Sequence, residues 1–350
     1  MSDKILIVGG GLSGTILAWH LYLNDVDFLL VNNERSNTSS KVAAGIYNPI
    51  VFKRFTASWQ AELLVPFLDE FYSKIESVLE EKFHFKIDIY KILSNENEVE
   101  LWKTKSKDFP NSMFMDENII PNRYTNKIEN NVGFGRVYNS GFVDTNKFLD
   151  LSHEYFSKIH KLKTCEILYK HINSDLKLEN EAFSNIIFAE GYYGENNPLF
   201  PNLRYNFAKG EVLGIEVENF KIDHIISKNL FMFPVAKNRY KVGASFQWTF
   251  EDEEPTEFEK NRLLDNLEKF LKSDYKVVDH KAGIRPATFD RRPFLGQSVI
   301  QDNAYIFNGM GAKAVLLAPY CASLLLDSIQ NKTELPLDID IRRIKKVNPH

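Results

Sequence analysis

Lys4-Ile5-Leu6-Ile7-Val8-Gly9-Gly10-Gly11-Leu12-Ser13-Gly14 is a short apolar strand running into a glycine turn and then a helix. That order predicts a dinucleotide-binding turn at the start of an α/β domain. Gly9 permits a tight turn, Gly11 lets the backbone approach a pyrophosphate, and Gly14 allows the helix to pack closely on the strand. Leu12 and Ser13 open the helix, whose free N–H groups face an anion. An amphipathic helix with Leu17 and Leu21 on one face and a second strand from Phe28 to Val31 complete the unit. The competing reading is a fortuitous glycine turn in another α/β domain.

The second strand ends at Asn32, where a dinucleotide fold ordinarily places an acidic side chain against a ribose. Asn offers a hydroxyl its amide oxygen without repelling a 2'-phosphate. Asn33 and Glu34 follow, and Glu34 is the alternative ribose contact.

With 350 residues the chain is too long for one simple core, and 44% hydrophobic residues is ordinary for a soluble protein. Two domains are expected. A net charge of -4 with both signs interspersed gives no electrostatic footprint for nucleic acid or an anionic membrane. The two cysteines, Cys165 and Cys321, are far apart and read as small buried hydrophobes, with neither a disulfide framework nor a metal cluster. No apolar run approaches the roughly 20 residues of a membrane span, so no transmembrane segment is expected. The early nucleotide strand leaves no room for a signal peptide, and the expected location is cytoplasmic.

Between the second strand and Pro49 lies Ser40-Lys41-Val42-Ala43-Ala44-Gly45-Ile46, whose small residues suit close approach to a flat ligand. A core helix is expected over 57–81, and Asp144 caps another through about Ile159. Ser184 to Gly191 reads as a buried strand returning to the nucleotide domain. Strands over 210–217, 230–234 and 240–246 suit an antiparallel substrate-side sheet. A dense cluster follows at Gly283-Ile284-Arg285-Pro286 and Asp290 to Gly296. Gly309-Met310-Gly311-Ala312-Lys313 then opens an apolar helix.

Taken together, these blocks resemble the D-amino acid oxidase and glycine oxidase superfamily of FAD-dependent oxidoreductases, over nearly the whole chain. The resemblance rests on the N-terminal turn, Ala43-Ala44-Gly45, Ala189-Glu190-Gly191, Gly283 to Pro286, and Gly309 to Gly311 before Ala318-Pro319. It implies a Rossmann-like domain holding noncovalent FAD, built from 1–50, 140–205 and 275–350. A substrate domain from 51–139 and 206–274, with a mostly antiparallel sheet, is interleaved with it. By the same resemblance Arg285 clamps a substrate carboxylate, and Gly309 to Lys313 lies near the pyrimidine edge of the flavin. A guanidinium suits the first role because it pairs bidentately with a carboxylate and stays protonated in a semi-apolar pocket; the structural alternative is an ion pair with Asp290. For Lys313 the alternatives are a charge at the flavin and a solvated first-turn lysine.

Three departures limit what the resemblance carries over. Asn32 replaces the acidic residue, Phe231 stands where relatives often carry a tyrosine hydroxyl over the substrate, and Ala312-Lys313-Ala314 lacks a glycine. The expected activity is oxidation of the C–N bond of a small amine or amino acid, with oxygen or another electron acceptor closing the cycle. Two alternatives stay open: an FAD-binding subunit or redox sensor whose pocket is filled by Phe231, Met232 and Trp248, and a relative of the oxidative domain of a tRNA wobble-modification enzyme. His280, the histidine nearest Arg285 in sequence, reads as structural.

Overall fold

All four residues of the Ile5–Val8 strand are buried, as a strand covered on both faces requires. It pairs in parallel with Phe28–Asn32 on one side and Asn185–Phe188 on the other. The computed structural model describes residues 4–33, 38–124, 126–167, 169–172, 177–178 and 181–344, so Glu34 lies outside the described residues. In it these strands are the centre of a six-stranded sheet ordered Leu162–Thr164, Phe28–Asn32, Ile5–Val8, Asn185–Phe188, Ala304–Asn308 and Phe294–Gln297. Only the last runs antiparallel to its neighbour.

The helix after the turn, Leu12–Leu23, is not amphipathic as expected: every residue from Leu12 to Leu21 except Ser13 is buried. It packs on helices Thr145–Lys158 and Ala314–Asn331 as well as on the sheet, so its far face is covered too. Trp19, fully buried, donates from Nε1 to Ser152 Oγ at 2.8 Å and ties the first two helices together. Truncating such a side chain to Ala costs about 3–5 kcal/mol. Asp144 caps Thr145–Lys158 as expected, accepting the Lys147 N–H.

The second layer is an eight-stranded sheet ordered Lys276–Arg285, Ala208–Glu216, Arg239–Gly243, Phe231–Ala236, Ile225–Ser227, Ile89–Ile92, Phe134–Val137 and Met115–Ile120. It is antiparallel except where Ile225–Ser227 meets Ile89–Ile92. Lys276–Arg285, expected on the cofactor side of a boundary at 275, pairs instead along Ala208–Glu216, with Arg285 opposite Ala208 and Gly283 opposite Gly210. Lys276 to Lys281 is largely exposed, as suits the edge of a sheet rather than its centre. A three-stranded sheet of Ile46–Tyr47, Gly141–Val143 and His84–Lys86 joins segments expected in different domains.

Gly311–Asn331 is, by length and composition, long and apolar enough to cross a membrane, contrary to the expectation that no run approaches that length. Half of its most apolar window is buried inside the protein, against Leu12–Leu23 and Ala61–Leu79. Its apolar residues therefore serve as core between two other helices.

Candidate active site

The strand order reverses between Ile5–Val8 and Asn185–Phe188, and in such sheets the crevice beyond the strand ends at that point is where ligands bind. The glycine turn forms its wall. Gly9 has φ +110°, and a Cβ there would lie 2.5 Å from the Ala189 carbonyl oxygen. A Cβ on Gly14 would overlap the Gly9 carbonyl oxygen, so its role is to seat the helix against the turn.

Asn32 does something the sequence did not suggest. Its Oδ1, expected to meet a ribose hydroxyl, accepts the Gly10 N–H at 3.2 Å and so braces the turn. Its amide NH₂ is the end left for a ligand. Ser40 Oγ likewise accepts the Leu12 N–H at 3.0 Å.

From the turn a cleft of about 800 Å³ runs between the two layers. Of the residues singled out in the sequence, Gly9, Gly11, Leu12, Ser13, Asn32, Asn33, Ser40, Ala44, Gly45, Ile46, Gly191, Phe231, Arg285, Met310, Gly311 and Ala312 line it. Four do not. Gly14 is packed behind the turn, and Lys41 lies outside the lining. Gly309, at φ +77°, faces Thr288, whose Cγ2 would be 2.5 Å from an added Cβ. Lys313, exposed along much of its side chain, donates from its ammonium to Ser58 Oγ at 2.8 Å. Burial of that ammonium, then the nearby Arg292 and Arg291, lower its pKa to about 8. Lys313 is thus not a cleft-lining charge; it is an exposed residue whose ammonium is tied to Ser58. Cys165, expected to be buried, is half-buried and lines the cleft; Cys321 is buried.

Arg285 dominates the other end. Its Nη2 donates to the Ser245 carbonyl at 3.2 Å, while its buried Nη1 has no hydrogen-bond partner among the described residues. The guanidinium carbon lies 5.2 Å from the centre of the Phe246 ring. A Cβ on Gly210 would overlap the guanidinium, so the absence of a side chain there makes its slot. The expected alternative, a pair with Asp290, is ruled out because Asp290 binds Arg343 at 2.6 Å. Burial lowers the Arg285 pKa to about 10, which leaves it protonated at neutral pH. A buried cation with an unused donor is costly unless an anion meets it.

His280 is held by Glu211 at 2.7 Å and lies outside the cleft lining. Phe231 lines the cleft, but Met232 belongs to the core of the eight-stranded sheet and Trp248 is 49% exposed. The three residues therefore do not fill the pocket.

The sequence reading gave no site role to Gly210, Ser245, Phe246 or Glu190. A lone glycine inside a strand pattern, as at Gly210, signals close approach of another group and was the available clue. Glu190 lines the cleft beside Gly191 and accepts from Tyr169 Oη at 3.0 Å and Asn197 Nδ2 at 2.9 Å. Burial outweighs those two hydrogen bonds and pushes its pKa up to about 7.

A glycine-walled crevice at a helix N-terminus, continuous with a cleft of this volume, fits a dinucleotide at one end and a small anionic molecule at the other. The comparisons agree with that geometry. Glycine oxidase of Pseudomonas aeruginosa is 22% identical across 95% of this chain and 96% of its own. Among solved structures, glycine oxidase from Geobacillus kaustophilus superposes with a TM-score of 0.79 at 15% identity, covering 99% of this chain and 100% of that one. Iminodiacetate oxidase from Chelativorans sp. gives 0.76 at 16% identity, covering 95% and 97%. Residues 4–328 match the family model described as FAD dependent oxidoreductase. With nine-tenths of its length inside that match, the chain belongs to the DAO family of FAD-dependent oxidoreductases.

Proposed function

We propose that this protein oxidises the C–N bond of a small, largely apolar amino acid or N-substituted glycine that carries a free carboxylate. One observation carries the reading: the unpartnered Nη1 of Arg285, buried in the cleft wall. The names of the relatives, which act on glycine and iminodiacetate, point to the same substrate class.

Bound FAD supplies a two-electron acceptor that takes a hydride from carbon. The residues proposed to hold it are the Gly9 to Ser13 turn, Asn32, Asn33, the Ser40 to Ile46 segment, Gly191 and the Met310 to Ala312 turn. Arg285 binds the substrate carboxylate and thereby fixes where the α-carbon sits; positioning of this kind is worth several kcal/mol of barrier, on the order of 7–11 at its best. Phe246 and Gly210 keep the guanidinium in one place. Phe231 and Val212 give the substrate apolar surface and no hydroxyl. With His280 engaged by Glu211, no base is assigned, and the substrate amine binds unprotonated. Loss of hydride from the α-carbon and of a proton from the nitrogen leaves a C=N bond, which water hydrolyses to a carbonyl and a free amine. A cytoplasmic setting is consistent with the unpaired Cys165 and Cys321.

The test is anaerobic addition of glycine, N-methylglycine, D-alanine, D-valine, proline and their decarboxylated counterparts to the purified holoenzyme. Bleaching of the flavin band by carboxylated amines alone supports the reading. Bleaching by dithionite but by none of these compounds overturns it. A peroxide assay in air decides between oxygen and another acceptor.

A further inference from the structure

Gly10 is the middle of three consecutive glycines, the stretch with the least intrinsic restraint in the chain, yet its peptide groups are held from three directions. Its N–H donates to Asn32 Oδ1 at 3.2 Å. Its carbonyl accepts from Thr15 Oγ1 at 3.2 Å and from His153 Nε2 at 2.9 Å. Thr15 belongs to the helix that follows the turn, but His153 lies on Thr145–Lys158, 143 residues along the chain. The preceding residue, Ser152, receives the Trp19 indole N–H, so the helix that carries His153 is fixed against the helix the turn opens.

The carbonyl of Gly10 and the N–H of Gly11 belong to one planar trans peptide, so they point in opposite directions. Holding the carbonyl toward the Thr145–Lys158 helix aims the Gly11 N–H away from it. Gly11 borders the cleft at the mouth of the Leu12–Leu23 helix, where an anion is received. Desolvation lowers the pKa of His153, so the ring is neutral at pH 7 and donates to the carbonyl in its Nε2–H form.

We propose that His153 is a positioning residue for the cofactor: by gripping the Gly10 carbonyl it pre-sets the Gly10–Gly11 peptide plane for the FAD pyrophosphate. The cradle is therefore completed by a helix the chain forms only after its long excursion through the other layer. Without the grip, a glycine peptide has to be ordered when the cofactor binds, and that cost appears as lost affinity.

The experiment compares wild type with His153→Leu and His153→Gln as holoenzymes. FAD dissociation is read from the flavin fluorescence released on dilution, and ADP affinity from its ability to displace FAD. Losing one neutral hydrogen bond predicts a rise of about three- to tenfold in the dissociation constants of both FAD and ADP for His153→Leu. His153→Gln, which restores an N–H donor, stays within about twofold of wild type on the same scale. The proposal is overturned if His153→Leu leaves FAD affinity unchanged, if FAD weakens while ADP does not, or if Gln is as weak as Leu. Should His153→Leu not fold, His153→Phe, which keeps a ring and removes the N–H donor, takes its place; weakening of FAD and ADP together supports the proposal, and unchanged affinities overturn it.

Discussion

The two ends of the cleft are built on opposite plans. At the cofactor end the helix mouth is walled by one short stretch, Gly9 to Ser13, with Asn32 and Ser40 bracing it from 22 and 28 residues away. At the substrate end no two principal groups are adjacent except Ser245 and Phe246. Gly210, Phe231, Ser245 and Arg285 come from four separate segments and meet because Ala208–Glu216 lies between Lys276–Arg285 and Arg239–Gly243. The first end is a local motif carried on a strand and a helix; the second exists only when the sheet has formed. Damage to the first should therefore be felt in folding and cofactor content, and damage to the second in substrate handling with the flavin still in place.

The strongest break of that contrast comes from Gly14→Ala. The added methyl would overlap the Gly9 carbonyl, so the helix must move off the turn. We expect a destabilisation of about 3 kcal/mol, typical of severe overpacking, and a protein isolated without flavin. Thermal unfolding and the absorbance ratio of flavin to protein check both. Gly210→Ala is the counterpart at the other end. Its methyl evicts the guanidinium from its slot, and loss of a charge-assisted contact predicts a fall of about a hundredfold in kcat/KM with flavin content intact. Loss of flavin in that variant would show that the two ends are not independent.

A pH series sharpens the comparison. In its proposed role Arg285 binds carboxylate only while protonated, and its pKa is lowered to about 10. Affinity for a non-reacting carboxylate is then level through neutral pH and falls as pH rises through about 10, approaching tenfold per unit beyond it. A bound carboxylate raises the Arg285 pKa in turn, so the fall levels off where the complex itself loses the proton, at a higher pH than the free enzyme. Flavin spectral perturbation by acetate or benzoate reads this out. The smallest effect is expected at Asn32→Asp: the carboxylate still accepts the Gly10 N–H and offers a second oxygen to a ribose hydroxyl, tightening FAD by about two- to threefold. Equal or weaker binding would mean that the Asn32 amide already serves the ribose.

This contrast also explains what could be read in advance. The glycine turn, the buried strand over 185–188 and the Asp144 cap were legible because each depends on neighbours within a few residues. The partner of Asn32 was not, since an amide oxygen suits a ribose and a backbone N–H equally well and only the folded turn chooses. Lys276–Arg285 was hidden because its exposed, charged first half lacks a strand's apolar pattern, and its place at the sheet edge is set by Ala208–Glu216. Gly309 and Lys313 were expected near the ligand from the glycine turn before a helix and from the family resemblance, with a solvated lysine as the alternative for Lys313. In the structure Thr288 and Ser58 claim them, through contacts that span 21 and 255 residues of chain.

The chain passes between its two large sheets four times, between residues 32 and 89, 137 and 162, 188 and 208, and 285 and 294. No single cleavage can free either sheet, because whatever is cut remains threaded through its partner by the other passages. Proteolytic nicking at any one crossing should leave a particle that stays together until it melts, and the two layers should melt together in one transition. The same threading means that a different substrate layer cannot be grafted on by exchanging one contiguous stretch: both inserted pieces, and the edges at which they meet, have to be replaced in concert.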